Sequence, residues 1–577
     1  MGLQIWLPLN GSLENKGLHS IKPQYVSSLS ANTTNLGKVT AKSYEWTVDG
    51  QAINLPGFMN VFKNYKKYTI AAWIYYTGPA GNHSSAICSS GNWNNYNLTF
   101  GLNDYSSGYK KILVPSARSG GWSDGITIST LALNTWHHLA VTYDGAVSHV
   151  YINGQEVGSF NGGGITANSE TSNLYIGAAT YYAQFTLKGR INDFRIYDHC
   201  CSAKEIAEVA KGLAVHYPLD NNGQGGTNLL TNGNVLTTNN SYGGFTVNPN
   251  PIMVAGETYT LTLCVTPAAN VTSYAAYVSG GYRSLATFTV NGTEQQIITK
   301  TFTCNYYAGR EPSVNASYAN ITFYRFPNEG QVTTNSTFHW AKLEKGTGET
   351  LGIWTPHHTA DPLHNIIYDG SGYDNHGTAS VGLYTEKGSP RYDDATVFDG
   401  SSTWITVPIK DLMANLLKNQ CTINFWCREG NTGSRSVYLG GYNTGNFNIE
   451  MTGGKFRVYW NANPDRTVSS VENNTWTMWT VVVNKASGFK IYKNGVLVDD
   501  YAKTSSSMPD ISITGNFRIG WDFRNNNNSD GTVFEGAMSD FKIYATALSA
   551  NDVAELYQVS ISIDDNGRAF ASSFKEE

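Results

Sequence analysis

The chain carries one ordered set of strand and turn signals twice, and no other feature constrains its fold as tightly. In the first copy Trp136 precedes the alternating run Leu139, Val141 and Tyr143, a second run holds Val150 and Ile152, and Asn153-Gly154 follows. Apolar residues at every second position are the pattern of a half-buried strand, and Asn-Gly tolerates the positive φ angles of a two-residue hairpin turn. The second copy runs from Trp476 through a β-rich stretch to Asn494-Gly495; tryptophan and turn stand 17 residues apart in one copy and 18 in the other. Further on, LYIG at 174–177 corresponds to FRIG at 517–520, and GRINDFRIYD at 189–198 to GAMSDFKIYA at 536–545. From turn to the shared Asp-Phe is 40 residues in the first copy and 46 in the second, with the excess mainly near RNNNNSDG. Each copy ends in a short helix signal, a capping box of Ser202 with Glu205 and its weaker counterpart of Ser549 with Asp552.

The copies also begin alike, LQIWLPLNG at 3–11 against LAVHYPLDN at 213–221. Pro8 to Trp136 spans 128 residues, but Pro218 to Trp476 spans 258, so the second copy holds room for an extra small domain. Its limits are TNLLTNGNV from 227 and FHWAKLEKGTGETLGIWTP up to 356, and its interior has short β runs such as GETYTLTLCVT at 256–266. The expected organisation is all-β: a first sandwich over 1–212, a β-sandwich insert over 224–358, a second sandwich split across 213–223 and 359–560, and an extended tail over 561–577, which the strand-like Ile561 and Ile563 are expected to dock on the domain.

WHHLAVTYDG, the YINGQ hairpin and GRINDFRIYD resemble the laminin-G-like, concanavalin A-like jelly-roll family over about 1–212. The second copy is similar with weaker motifs: Met478 and Trp479 replace the His137-His138 pair, and Lys485 stands near the place of the turn aspartate. The insert resembles carbohydrate-binding modules that carry an early NLLxNG and a late KLEKG followed by WxP. Proteins assembled from these parts, with ends like LQIWLPLNG and SIDDNGRAFASSFKEE, resemble virion proteins of tailed bacteriophages, often tail-associated. The resemblance implies two concanavalin A-like jelly rolls plus an inserted β-sandwich, and a location on the virion after synthesis in the host cytoplasm.

Composition narrows the setting. Charged residues make up only 14% while Gly numbers 58 and Tyr 36, a balance of strands, turns and wet loops rather than surface helices. A net charge of −5 without a basic run leaves no footprint for nucleic acid or an anionic membrane. No apolar stretch approaches the length of a membrane span, and the chain enters a strand by Leu3 without the basic region and apolar core of a signal peptide. Seven cysteines without metal-knuckle spacing read as free thiols; adjacent Cys200 and Cys201 suit neither a disulfide nor a zinc site, and Cys264 with Cys304 is the one pair placed to meet. No coiled-coil or collagen repeat announces a shaft, so any homo-oligomer forms through sandwich surfaces.

Glycosidases of this fold need two carboxylates facing one bond, in the family as Glu-x-Asp-x-(x)-Glu on one strand, and that motif is absent. His137 and His138 point to opposite faces of their strand, one packing and one meeting solvent, while Asp193 and Asp540 serve backbone groups of a turn. Trp73, Trp136, Trp426 and Trp476 belong to strand patterns and to the core. Sugars are held by flat aromatic faces with amides and guanidinium groups fixing hydroxyls, on loops of a rigid sandwich. The candidate ligand-binding residues are therefore Trp93, Tyr96, Trp122, Tyr181 and Tyr182 in the first copy and Trp521, Arg524 and Asn525 in the second. An isolated loop aromatic is more often a lid on its own core; grouping with amides is what singles these out. No cofactor is required. The resemblance makes calcium an optional ligand, with Asp124, Asp144 or Asp530 as its carboxylates, although a short Asp-Gly turn is explained by backbone geometry alone. The expected function is a non-enzymatic, tail-associated adhesin that binds host cell-surface polysaccharide and contacts other virion proteins. A structural or capsid-decorating role is the alternative, and a glycan-processing enzyme a third.

Overall fold

The computed structural model of the chain describes all residues except 1, 28, 30–35, 80–82, 93–94, 107–108, 114, 116–124, 130, 166–171, 180–184, 220–227, 231, 234–236, 250–252, 255, 279–282, 305–319, 329–333, 347–365, 381–382, 393, 434, 442–446, 461–464, 503–507, 512, 514, 522–532, 559–560, 564–568 and 572–577. The duplicated hairpins form as their sequences dictate. Asn153 and Asn494 both take φ of 50°, followed by Gly154 at 81° and Gly495 at 78°. Each asparagine side chain also folds back: Asn153 Oδ1 accepts the His138 N–H at 2.9 Å, and Asn494 Oδ1 accepts the Met478 N–H at 2.8 Å. This pairing corrects the sequence alignment of the copies, since it sets His138 opposite Met478 and His137 opposite Thr477.

The fold is all-β. In the first jelly roll one sheet orders its strands Leu3–Leu7, Gly189–Tyr197, Tyr68–Tyr76, Thr135–Tyr143, Val147–Ile152 and Gln155–Asn161, with Tyr44–Trp46 also on Gly189–Tyr197. The facing sheet runs Gln24–Val26, Ala52–Leu55, Leu174–Ile176, Ser85–Asn92, Asn95–Ser106, Tyr109–Leu113 and Gly125–Thr127. The second jelly roll repeats this plan. Leu213–Tyr217 pairs with the closing strand Glu535–Tyr544, which leads through Gln420–Glu429, Trp476–Asn484 and Gly488–Lys493 to the edge strand Val496–Ala502. Its facing sheet runs Ile366–Ile367, Gly377–Ala379, Ile405–Val407, Phe517–Ile519, Ser436–Gly440, Phe447–Thr452, Lys455–Trp460 and Asp465–Ser470. Between Leu213–Tyr217 and Ile366–Ile367 lie two four-stranded sheets around their own core, which includes Phe245, Leu261, Phe288, Phe323 and Phe338.

The strands of the first-named sheets are apolar on both faces because a second layer covers them. Helix Ala203–Lys211 buries Ile206 against Ala71, Ala140 and Tyr151, and helix Ala550–Tyr557 buries Val553 against Val482, Tyr492 and Tyr544. Both helices start in complete capping boxes, on Ser202 and Ser549. The two jelly rolls pack directly on each other. The Trp6 ring meets Tyr373 edge-on at 5.6 Å, Arg195 donates to the Tyr373 hydroxyl at 3.1 Å, and the buried Lys38 ammonium donates to the Ala545 carbonyl.

This second layer overturns two expectations. His137 and His138 are both buried; His137 Nε2 is 2.9 Å from the Ala132 carbonyl, and the His138 ring packs edge-on against Trp73. Asp193 and Asp540 lie not in turns but at bulges of the closing strands, with φ of 57° and 53°, and their carboxylates bind buried side chains. Trp73 and Trp426 are core residues, whereas Trp136 and Trp476 are half-buried. All seven cysteines are free, Cys264 and Cys304 included. The tail pairs with itself, Ile561–Ile563 against Ala569–Ala571, rather than extending a neighbouring sheet.

Candidate functional site

Strand Phe517–Ile519 sends Phe517 and Ile519 into the core and Arg518 to the opposite face. Gly520 then turns with φ of 88°, in a place where a Cβ would stand 2.6 Å from the Phe398 ring, and Trp521 folds back over the strand. The Arg518 guanidinium lies 4.2 Å from the Trp521 ring centre and 4.6 Å from that of Trp404, and the two indoles are 4.6 Å apart at 42°. Such spacing allows cation–π attraction to both rings. Trp521 is 8% exposed, so its ring backs the cluster while half-buried Trp404 fronts it.

Trp404 is held by the turn before it. Asp399 Oδ1 accepts the N–H groups of Ser401 and Ser402 at 2.8 Å and of Thr403 at 3.1 Å, and the hydroxyls of Ser402 and Thr403 donate as well. Burial would raise the pKa of this carboxyl, but the hydrogen bonds outweigh it and hold Asp399 well below the usual carboxylate range. The Trp404 N–H donates to Ser380 Oγ at 2.7 Å, and its carbonyl accepts from the Ser380 N–H at 2.8 Å.

Strand register extends the site sideways. Thr406 is opposite Arg518, Arg518 opposite Gly440, Gly440 opposite Asn448 and Asn448 opposite Tyr459, so all five positions share one face. Gly440 adds no side chain between Arg518 and Asn448, and Asn448 is itself fully buried. Two residues on, buried Glu450 pairs with Arg435 and, at 2.8 Å, with Arg457, whose guanidinium stacks on Tyr459 at 5.1 Å. These side chains comprise three guanidinium groups and the Glu450 carboxylate, and register sets Asp465 opposite Tyr459 on the same face; the remaining cationic excess suits an anionic ligand with flat apolar faces.

The matching positions of the first jelly roll, all described, hold no such cluster. Tyr175 takes the place of Arg518 between Asn54 and Ser89, and Ala52 and Ala178, both buried, take those of Trp404 and Trp521. Among the residues expected from sequence, Trp521 joins the cluster, and Arg524 and Asn525 follow it outside the described residues, as do Trp93, Trp122, Tyr181 and Tyr182. Tyr96 lies in strand Asn95–Ser106 opposite Gly91, its side chain outside the description. Trp404 and Arg518 were not anticipated; the signal for them was WIT at 404–406 beside AIN at 52–54, aligned on Ile405 and Ile53, which pair with Ile519 and Ile176. Of the calcium candidates, Asp144 accepts the N–H groups of Ala146 and Val147 at 2.8 Å in its own turn, and Asp124 and Asp530 lie outside the described residues. A concavity of about 450 Å³ runs between the jelly rolls, lined by Tyr75, Asn134, Trp136, Asn419, Asn484 and Lys485 among others.

A family model described as the concanavalin A-like lectin/glucanases superfamily matches residues 48–207 and 399–554, more than half of the chain. No curated protein matches it. Similar solved structures include the binding domain of botulinum neurotoxin serotype D/C, at 18% identity and a TM-score of 0.28 over 35% of this chain and 52% of that one. They also include domain 4 of AbnA, a GH43 extracellular arabinanase from Geobacillus stearothermophilus solved with arabinotriose, at 19% identity and a TM-score of 0.27 over 33% and 92%. The chain spans about half the length of the neurotoxin binding domains it matches.

Proposed function

The chain belongs to the concanavalin A-like lectin/glucanases superfamily, and from that premise we propose that it is a non-enzymatic, glycan-binding virion protein of a tailed bacteriophage, tail-associated and directed at host cell-surface polysaccharide. One observation carries the glycan reading: the Arg518 guanidinium packed against both Trp404 and Trp521 on a sheet face that also carries Tyr459. An indole face packs on sugar C–H groups, and guanidinium pairs with carboxylate or hydroxyl. The excess of guanidinium groups favours acidic polysaccharides, those with uronic acid or carboxyl substituents. On that face Glu450 is tied to two arginines, which leaves it engaged rather than free to act as an acid or base. The virion setting rests on the module combination and end segments, and calcium remains an optional ligand. Many copies on one particle multiply weak sites into firm attachment.

A structural or decorating role has its own observation. The edge strand Val496–Ala502, last in its sheet among the described residues, exposes Val496 at 66%, Leu497 at 44% and Val498 at 37%, an apolar edge suited to contact with another virion protein. The test is binding of the purified chain to a panel of neutral and acidic bacterial polysaccharides, with and without calcium, beside Trp404→Ala. Selective binding of acidic polymers that is lost in the variant supports the adhesin. Absence of binding at concentrations that detect millimolar affinity moves the assignment to the structural role.

A further inference from the structure

The corner that joins the closing strand Gly189–Tyr197 to helix Ala203–Lys211 carries a side-chain set that the fold does not require. We propose that His199, Cys201 and Glu205 bind one divalent transition-metal ion of the zinc class. His199 Nε2 lies 3.6 Å from Cys201 Sγ and 3.8 Å from Glu205 Oε1, and the three ligand atoms all fall within 4.8 Å of one another. A tetrahedral ion with bonds of about 2.0 to 2.3 Å places its donors roughly 3.4 to 3.7 Å apart, so a small contraction around an ion closes the set. The fourth position opens toward solvent on the side of Glu205, whose side chain is half exposed.

Glu205 and His199 are each aimed by a separate contact. Glu205 Oε2 accepts the Ser202 N–H at 2.6 Å in the capping box, which leaves Oε1 turned toward the imidazole. His199 Nδ1 is buried without a hydrogen bond, 3.5 Å from Asp198 Oδ1, and Asp198 is itself fixed by the Gly2 N–H at 2.6 Å and Gln4 Nε2 at 3.1 Å. A slight ring shift on metal binding would complete a carboxylate–imidazole–metal relay, the usual outer support of a metal-bound histidine. Tyr197 walls the ring edge-on at 5.5 Å.

The second jelly roll supplies an internal comparison. Its corner has Ala545, Thr546 and Leu548 where the first has Asp198, His199 and Cys201, yet keeps the capping box through Ser549 and Asp552. Leu548 packs in the cluster that corresponds to that of Cys201. The corner therefore folds without imidazole or thiol, and packing alone does not account for finding both, with a carboxylate, around one point. Adjacent Cys200 and Cys201 suit no zinc site as a pair; Cys201 meets His199 and Glu205, on either side of it in sequence, instead.

The test uses the full, untagged chain stripped of metal and titrated with cobalt(II), then with zinc in competition with a chromophoric chelator. The expected result is one equivalent per chain, with a thiolate-to-cobalt charge-transfer band and the visible bands of a tetrahedral ion, displaced by zinc. Cys201→Leu, the residue of the second jelly roll, abolishes the thiolate band, while Cys200→Ser keeps it; Asp198→Asn weakens zinc binding by about tenfold. His199→Thr lowers affinity without removing the thiol, which guards against misreading a misfolded Cys201→Leu. A wild-type chain without a thiolate band, or a band that survives Cys201→Leu, overturns the proposal.

Discussion

Trp6 donates its indole N–H to the buried carboxylate of Asp193 at 2.7 Å, and in the second jelly roll His216 Nε2 stands 3.0 Å from the Asp540 carboxylate. The relationship is copied down to the backbone: the Asp193 N–H donates to the Pro8 carbonyl at 3.1 Å and that of Asp540 to the Pro218 carbonyl at 2.8 Å. Beside each aspartate a cation two residues on completes the pair, Arg195 at 3.0 Å and Lys542 at 2.7 Å. Each bulge thus turns an acidic side chain onto the first strand of its own sandwich.

Asp540→Asn is expected to destabilise the second jelly roll by about 3 kcal/mol, because it strands the buried Lys542 ammonium and the Arg391 guanidinium. Burial would raise the pKa of Asp540, but Lys542, His216 and Arg391 hold it far below 3.8. The sign follows from linkage: with a depressed folded pKa, the unfolded chain takes up the proton first, so this contribution is complete above pH 5 and fades as pH falls below about 4. Urea unfolding at pH 7 and pH 3 checks it, the gap between wild type and variant narrowing at the lower pH.

Glu429 predicts the opposite slope. Burial pushes its carboxyl up from 4.5 to about 7, although Tyr438 donates to it at 2.9 Å and Ser436 at 3.0 Å. A raised folded pKa means that the native state holds the proton after the unfolded chain has lost it, so stability declines as pH rises from about 4.5 to 7. Glu429→Gln removes that decline and is expected to stabilise the chain by roughly 1–3 kcal/mol at pH 8 while changing little at pH 4.5. An equal effect at both pH values in thermal unfolding would refute the assignment.

His138 loses stability on the acid side. Burial lowers its pKa from 6.5 to about 4, so below pH 6.5 the unfolded chain binds a proton that the native state refuses. His138→Met, which installs the residue that the second jelly roll uses at the same register, is expected to gain about 1–3 kcal/mol at pH 4.5 and less than about 1 kcal/mol at pH 8. Paired unfolding curves at the two pH values test it.

What was legible in the sequence was local. Asn153-Gly154, Asn494-Gly495 and the two serine capping boxes act within a few residues, and so both jelly rolls, their order and their helices could be read. The burial of His138 could not, because alternation reports one buried face, and the second face is covered by another sandwich packed on Trp73. The stack of Trp404 on Arg518 depends on strand Ile405–Val407 pairing with Phe517–Ile519 across more than a hundred residues. Loop composition pointed to Trp521 and stopped there.

Arg518→Lys is the sharpest test of the candidate site. Lysine keeps the charge, but a compact ammonium neither lies flat against the two indoles nor forks onto a carboxylate. Because Arg518 faces solvent only in part and its neighbours Phe517 and Ile519 carry the packing, the fold should be unaffected. Binding of an acidic polysaccharide should weaken about tenfold, a loss of roughly 1.4 kcal/mol. Tyr175→Phe at the matching position of the first jelly roll should change nothing, since Ala52 and Ala178 offer no aromatic platform there. Equal losses in both variants would place recognition elsewhere, and an unchanged affinity in Arg518→Lys would reduce the arginine to a generic positive charge.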